Sequence, residues 1–166
     1  MRKRWMALLL GPLCAVSCSA LNADRDSGER TAGNLPFAER FVEPSDGIVR
    51  DGHTGLEWTS RDNARDVTWP QADRYCRELA LGNRSGWRLP EIGELEGLYD
   101  ERLEQPCGTR TCHLDPAVRL TNPYVWSATQ RDSRRFYFNF QFGSSLAPLI
   151  KPGVVRRALC VRRFGH

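Results

Sequence analysis

The sequence predicts an α+β domain in which helices pack on a twisted antiparallel sheet. Three observations point there. Short β-rich runs open the folded region after residue 40, two helical patterns follow, and the last third alternates apolar and polar residues between turn residues, as a β-meander does.

Phe41-Val42, Gly47 to Arg50 and Leu56-Glu57-Trp58 read as short strands, with Asp51-Gly52 and Thr54-Gly55 turning the chain between the last two. A helix follows. Thr68 sits at a cap position and Pro70 suits the first turn. Ala72, Tyr75, Cys76 and Leu79 recur at helical spacing until Gly82 ends the run. Asp73, Arg74, Arg77 and Glu78 fall mainly on the other face, so Cys76 points inward. Pro90 opens a second helix with the stripe Ile92, Leu95, Leu98 and Tyr99, and Glu91 and Glu94 lie at the positive end of its dipole. Gly93 and Gly97 weaken that helix, so packing must hold it. Leu103 to Pro123 is a long irregular loop. Tyr124 to Thr129 is a strand, Gln130 to Arg134 its turn, and Phe136 to Phe142 a strand of alternating aromatics. Turns at Gly143 to Ser145 and at Pro152-Gly153 lead to a closing strand, Val154 to Arg162.

The chain ahead of this region carries an address. Arg2, Lys3 and Arg4 precede an apolar run from Trp5 to Val16, the pattern of a secretory signal peptide. That run is shorter than the ~20 residues a bilayer span needs. Val16-Ser17-Cys18, with Ala15 where leucine is usual, resembles a bacterial lipobox. Residues 1–18 are therefore expected to be a signal peptide and Cys18 the lipid anchor of an outer-membrane lipoprotein. Cleavage after Ser17 or Ala20, giving a soluble periplasmic or secreted protein, is the alternative. Residues 19–36 are too polar to bury a core and read as a flexible tether. The domain is expected over residues 37–166, with no internal repeat.

Export sets how the cysteines read. Cys76, Cys107, Cys112 and Cys160 are an even set in an oxidising compartment, with three possible pairings. Cys107 and Cys112 bracket a short turn-rich loop and most simply close on each other, leaving Cys76 with Cys160. Zinc held by Cys107, Cys112 and His113 lacks an evident fourth ligand.

The formal net charge of +4 hides an asymmetry. From Ser19 to Pro106 there are 11 arginines against 18 carboxylates, a net of −7; from Cys107 to His166, nine arginines and Lys151 face only Asp115 and Asp132, a net of +8. Two halves that neutralise each other would look like this, and so would a basic face for an anionic polymer. Arginine rather than lysine suits forked binding of sulfate, carboxylate or phosphate.

Several motifs recur together: Asp51-x-x-Thr54-Gly55-Leu56-x-Trp58, Trp69-x-x-Ala72-x-x-Tyr75-Cys76-x-x-Leu79, Ser85-Gly86-Trp87-Arg88-Leu89-Pro90, Val125-Trp126-Ser127-Ala128-Thr129 and Cys160-Val161-Arg162. In this order they resemble the Lcl C-terminal domain family. The resemblance implies a C-type lectin-like fold, in which a helix cysteine pairs with one on the last strand, in agreement with Cys76–Cys160. It makes Trp58, Trp87, Arg88, Pro90 and Trp126 structural. It also implies a polyanion-binding role, because a collagen-like adhesin of this family binds sulfated polysaccharides; this chain has no collagen repeat.

The expected function is a non-catalytic cell-envelope binding module for an anionic polysaccharide. Its candidate ligand residues are Arg131, Arg134 and Arg135 at the hairpin turn, Arg156 and Arg157 on the last strand, and Tyr137 as a sugar platform. An envelope protein partner is the alternative, with the aromatic strand or the irregular loop as interface. A formylglycine-generating-like oxidase shares the lectin-like scaffold but needs reactive cysteines, which bridges would consume. No cofactor is expected. Asp62, Asp66, Glu91, Glu94 and Glu96 read as solvated acids before a calcium site, and nothing suggests nucleic-acid readout.

Overall fold

Hydrogen bonding collects the strands into three antiparallel groups instead of one sheet. The computed structural model describes residues 40–43, 46–149 and 151–165; the expected signal peptide, Cys18 anchor and tether lie outside them. Strands β1 (Phe41–Val42), β2 (Ile48–Asp51), β3 (Leu56–Thr59) and β9 (Val161–Arg163) form a four-stranded sheet in that order. β4 (Gln105–Cys107) and β5 (Arg110–Cys112) make a hairpin within the expected irregular loop, and β6 (Tyr124–Arg131), β7 (Arg134–Asn139) and β8 (Ser144–Leu146) make a meander. With helices α1 (Trp69–Glu78) and α2 (Ile92–Glu96), this is an α+β arrangement.

Four local expectations shift. The closing strand shrinks to three residues because the run before it changes partner at each step. Arg156 bridges Val67, Arg157 bridges Val125 on β6, and Val161 bridges both Arg88 and β3. The closing strand therefore completes the first sheet and not the meander. The aromatic strand stops at Asn139, where Phe140 turns away to accept the His113 N–H at 2.9 Å. α2 is one turn long; Leu98 and Tyr99 follow it, and Leu98 is still buried. α1 ends at Glu78, before Gly82. Gly82, with φ +56°, is needed for close approach instead: a Cβ there would fall 2.9 Å from Asp46 Cβ and 3.1 Å from Ile48 Cδ1.

Both disulfides form, Cys76–Cys160 and Cys107–Cys112, with Cα separations of 5.4 and 5.8 Å. The first ties α1 to the segment entering β9.

The β6–β7 ribbon lies between two apolar clusters because its side chains alternate. Val125 and Phe138, a cross-strand pair, face one cluster with Leu95 of α2, Trp58 and Val161. The neighbouring pair, Trp126 and Tyr137, faces the other with Ala72 and Cys76 of α1, Trp87 and Leu89. The two helices thus serve opposite cores. Ala158 to Val161 alternates in the same way.

Buried charge is paired, at Arg40–Asp51, at Asp62, and at Glu57 and Asp100. All four residues of β3 are buried, Glu57 included. Its carboxylate takes Arg50 Nε at 3.1 Å, Arg84 Nη1, and Arg162 Nε at 3.3 Å. Asp100 accepts from the Arg102 backbone N–H at 3.0 Å and from its guanidinium at 2.9 and 2.6 Å.

The Arg102 bonds outweigh burial and hold the Asp100 carboxyl at about 2, from an ordinary 3.8. Burial opposes ionisation of Asp51 and Glu94, but bonds from Arg40 and from Arg88 hold both below their ordinary values. A carboxylate depressed on folding adds stability above its unfolded pKa and loses it as pH falls through the folded one. Urea midpoints are therefore expected to fall as pH drops from about 5 to about 2, and Asp100→Asn to fall less over that window. Equal slopes in the two proteins would contradict the assignment to Asp100.

Candidate functional site

Alternation on the β6–β7 ribbon builds one face. Tyr124 and Trp126 on β6 and Arg135 and Tyr137 on β7 share it, since Trp126 pairs with Tyr137 and the others stand two residues away. Tyr124 and Trp126 each meet Tyr137 edge to face, with ring centroids 6.0 Å apart. The Arg156 guanidinium lies 4.4 Å from the centre of the Tyr137 ring and 5.2 Å from that of Tyr124. Its backbone is pinned there by reciprocal bonds with Val67 at 2.9 and 3.0 Å.

Arg135 repeats the arrangement on Trp69, 4.8 Å from the ring centre. Trp69 is held in turn by its indole N–H, which donates to the Ser127 carbonyl at 2.8 Å. Arg110 of β5 donates to the Tyr124 hydroxyl at 2.8 Å and stacks 5.4 Å from that ring. At the hairpin tip Arg131 stands directly opposite Arg134, a like-charge pair that costs the hairpin some stability.

Stacking positions a guanidinium for an oxyanion. Nη1 of Arg134 donates to the Ala147 carbonyl, that of Arg135 to the Asp132 and Arg134 carbonyls and that of Arg156 to the Val155 carbonyl, so Nη2 is the donor left to each. Nε of both Arg135 and Arg156 is buried without a hydrogen-bond partner among the described residues. Within the same limits, no carboxylate lies in ion-pair range of Arg110, Arg131, Arg134, Arg135 or Arg156. The basic half does neutralise the acidic half elsewhere. Arg119 pairs with Glu43, Arg162 with Glu57, and Arg157 with Asp66 at 2.9 Å and Asp62 at 3.9 Å.

Arg135 therefore shares one side of the ribbon with Arg156 and Arg110. The Arg131–Arg134 pair at the hairpin tip lies on the other side by strand alternation, and Arg157 turns inward to acids. Tyr137 is 9% exposed and lies under Arg156, so it positions that guanidinium and offers no open ring. Sequence reasoning missed Arg110, Tyr124 and Trp69 as members of the face. Their partners are distant in the chain, and the only local hint is a tryptophan left unburied at a helix start.

A family model for the Lcl C-terminal domain matches residues 47–162. The chain belongs to the Lcl C-terminal domain family. No curated protein and no solved structure matches it. The match takes in both disulfides and all five of these arginines.

The structure gives the motifs of this Lcl C-terminal domain physical roles. Arg88 donates to Glu94 at 2.7 and 2.8 Å while its backbone exchanges 2.9 Å bonds with Val161. The Pro90 carbonyl accepts from Ala128 N–H and Ser127 Oγ at 2.7 and 2.9 Å, at the register break that follows Trp126. Trp58, Trp87 and Trp126 are all 2% exposed or less and belong to the cores. Asp62 is committed to Thr121 and the Ala64 N–H. Among the described residues no group of three or more His, Cys, Asp or Glu side chains is arranged to hold a metal ion.

Proposed function

We propose that this Lcl C-terminal domain is a non-catalytic binding module of the bacterial envelope that grips an anionic polysaccharide through the arginines of the β6–β7 ribbon together with Arg110 and Arg156. The observation that carries the reading is a set of five arginines outside ion-pair range of any described carboxylate, three of them placed over aromatic rings. Prefixed guanidinium planes lower the ordering cost of binding sulfate or carboxylate groups. The fold is read as C-type lectin-like, with α1 bridged to the last strand by Cys76–Cys160. Two disulfides suit an exported protein held by Cys18. They also occupy all four cysteines of the domain, which favours binding over cysteine-based oxidation.

A salt titration of the full-length oxidised protein on immobilised heparin tests it. Elution is expected at higher salt than from a neutral glycan matrix. Arg134→Ala/Arg135→Ala/Arg156→Ala is expected to lower affinity at least about tenfold and flatten the salt dependence by about one unit per charge removed. Arg61→Ala, an exposed arginine elsewhere, is the control. A triple-variant loss no more than three times that of Arg61→Ala on a logarithmic scale, equal per charge removed, would reduce the effect to net charge.

Absence of retention at low salt would favour a protein partner instead. One observation supports that second reading: Phe142, Leu146 and Leu149, on and beside β8, are 68%, 39% and 54% exposed.

A further inference from the structure

The five arginines differ in what their N–H groups still have to give. Arg134, Arg135 and Arg156 each spend Nη1 on a backbone carbonyl, and Nε of Arg135 and Arg156 is buried. Arg131 is exposed at the hairpin tip, opposite the like charge of Arg134. Arg110 is both held in place and open. Its Nη1 donates to the Tyr124 hydroxyl at 2.8 Å and its guanidinium lies over that ring, while Nε and Nη2 have no hydrogen-bond partner among the described residues. Those two atoms form one edge of the guanidinium, the fork that holds two oxygens of a single anionic group.

The β4–β5 hairpin sets where that edge sits. Cys107 stands opposite Arg110, and Cys112 two residues beyond it, so the disulfide and Arg110 share one face of the hairpin. Gly108 and Thr109 make the turn. Gly108 has φ +67°, and a Cβ there would fall 2.7 Å from the Thr121 carbonyl oxygen, so the tip packs on the backbone just before Tyr124. At the base, the buried Gln105 side chain donates to the Val118 and Asp115 carbonyls at 2.8 and 3.1 Å. A two-stranded hairpin is marginal by itself in water, so these ties keep Arg110 on Tyr124.

Arg156 lies over the same ring, its guanidinium 5.2 Å from the centre against 5.4 Å for Arg110. Neither has a carboxylate in ion-pair range among the described residues. Two uncompensated cations on one ring repel each other, and an anionic group beside them relieves that repulsion.

We propose that Arg110 is the specificity-determining residue of this site: its Nε–Nη2 edge takes two oxygens of one sulfate or carboxylate group, and the Cys107–Cys112 hairpin positions it. The inference rests on the polysaccharide-binding reading above and deepens it.

The full-length oxidised protein is eluted by salt from immobilised heparin, dextran sulfate and alginate. Arg110→Lys keeps the charge and loses the fork, so affinity for heparin is expected to fall about fivefold with no change in salt slope. A matching loss on dextran sulfate alone assigns sulfate, and on alginate alone, carboxylate. Cys107→Ala/Cys112→Ala releases the hairpin and is expected to match Arg110→Lys, with no further loss when the two are combined. Tyr124→Phe keeps the ring and removes the acceptor, at a cost of about threefold, which keeps the test decisive if the alanine pair misfolds. Arg131→Lys, the control, elutes with the wild type. Wild-type retention with an unchanged Arg110→Lys overturns the assignment to Arg110 and leaves the binding reading standing. Additive losses in the combined variant overturn the positioning role of the hairpin. No retention of the wild type at low salt overturns both readings.

Discussion

Replacing Cys76 and Cys160 together by alanine is expected to lower stability by about 4 kcal/mol, a drop of about 12–20 °C in melting temperature for a domain of this size. The bridge joins residues 84 apart, so in the chain-entropy account its removal frees a long loop in the unfolded state. Cys107–Cys112 spans only 5, and the same account gives it about 2 kcal/mol. Thermal melts of the two alanine pairs therefore rank the bridges. Equal losses would mean that native contacts, not loop length, set each contribution. The larger effect also has a folded-state component, since Cys76 and Cys160 are both fully buried in the cluster beneath α1.

Substitution of Glu57 by alanine is expected to cost about 3–5 kcal/mol, because it strands buried positive charge. The Arg162 side chain is only 7% exposed and that of Arg84 25%, so water cannot readily replace the missing carboxylate. Arg50→Ala provides the contrast. Its side chain is 42% exposed, and removing it leaves Glu57 with two guanidinium partners, so a loss below about 1 kcal/mol is expected. Urea midpoints of the two variants discriminate. A Glu57→Ala loss as small as that of Arg50→Ala would mean that the cluster relaxes toward solvent once its anion is gone.

What is legible in the sequence alone is mostly local. The Asp51 to Gly55 turn, the cap and inward face of α1, and the Cys107–Cys112 closure each depend on residues within a few positions of one another. The partner of the last strand was not legible, because Val154 to Arg162 has strand-like composition but bonds in turn to Val67, β6, Arg88 and β3. Arg156 and Arg157 show the same limit at the site. They are adjacent, yet one lies on Tyr137 and the other pairs with Asp66, and only the three-dimensional register separates them. The Glu57 cluster did leave a trace: a lone acid between Leu56 and Trp58 in a strand with no solvated face.

The β6–β7 ribbon between two apolar clusters has a consequence for how the molecule breathes. A strand with one wet face can release its hydrogen bonds a few at a time, since water reaches the ladder from that side. Val125 and Phe138 face one cluster, and Trp126 and Tyr137 face the other, so the backbone between them is screened from both sides. Its amides open to solvent when the domain opens as a whole, and the two clusters melt as one cooperative unit instead of fraying in sequence. Arg131, Arg134 and Arg135 lie past the register break at the exposed tip of that ribbon, so they are carried on a stem that does not fray ahead of the domain.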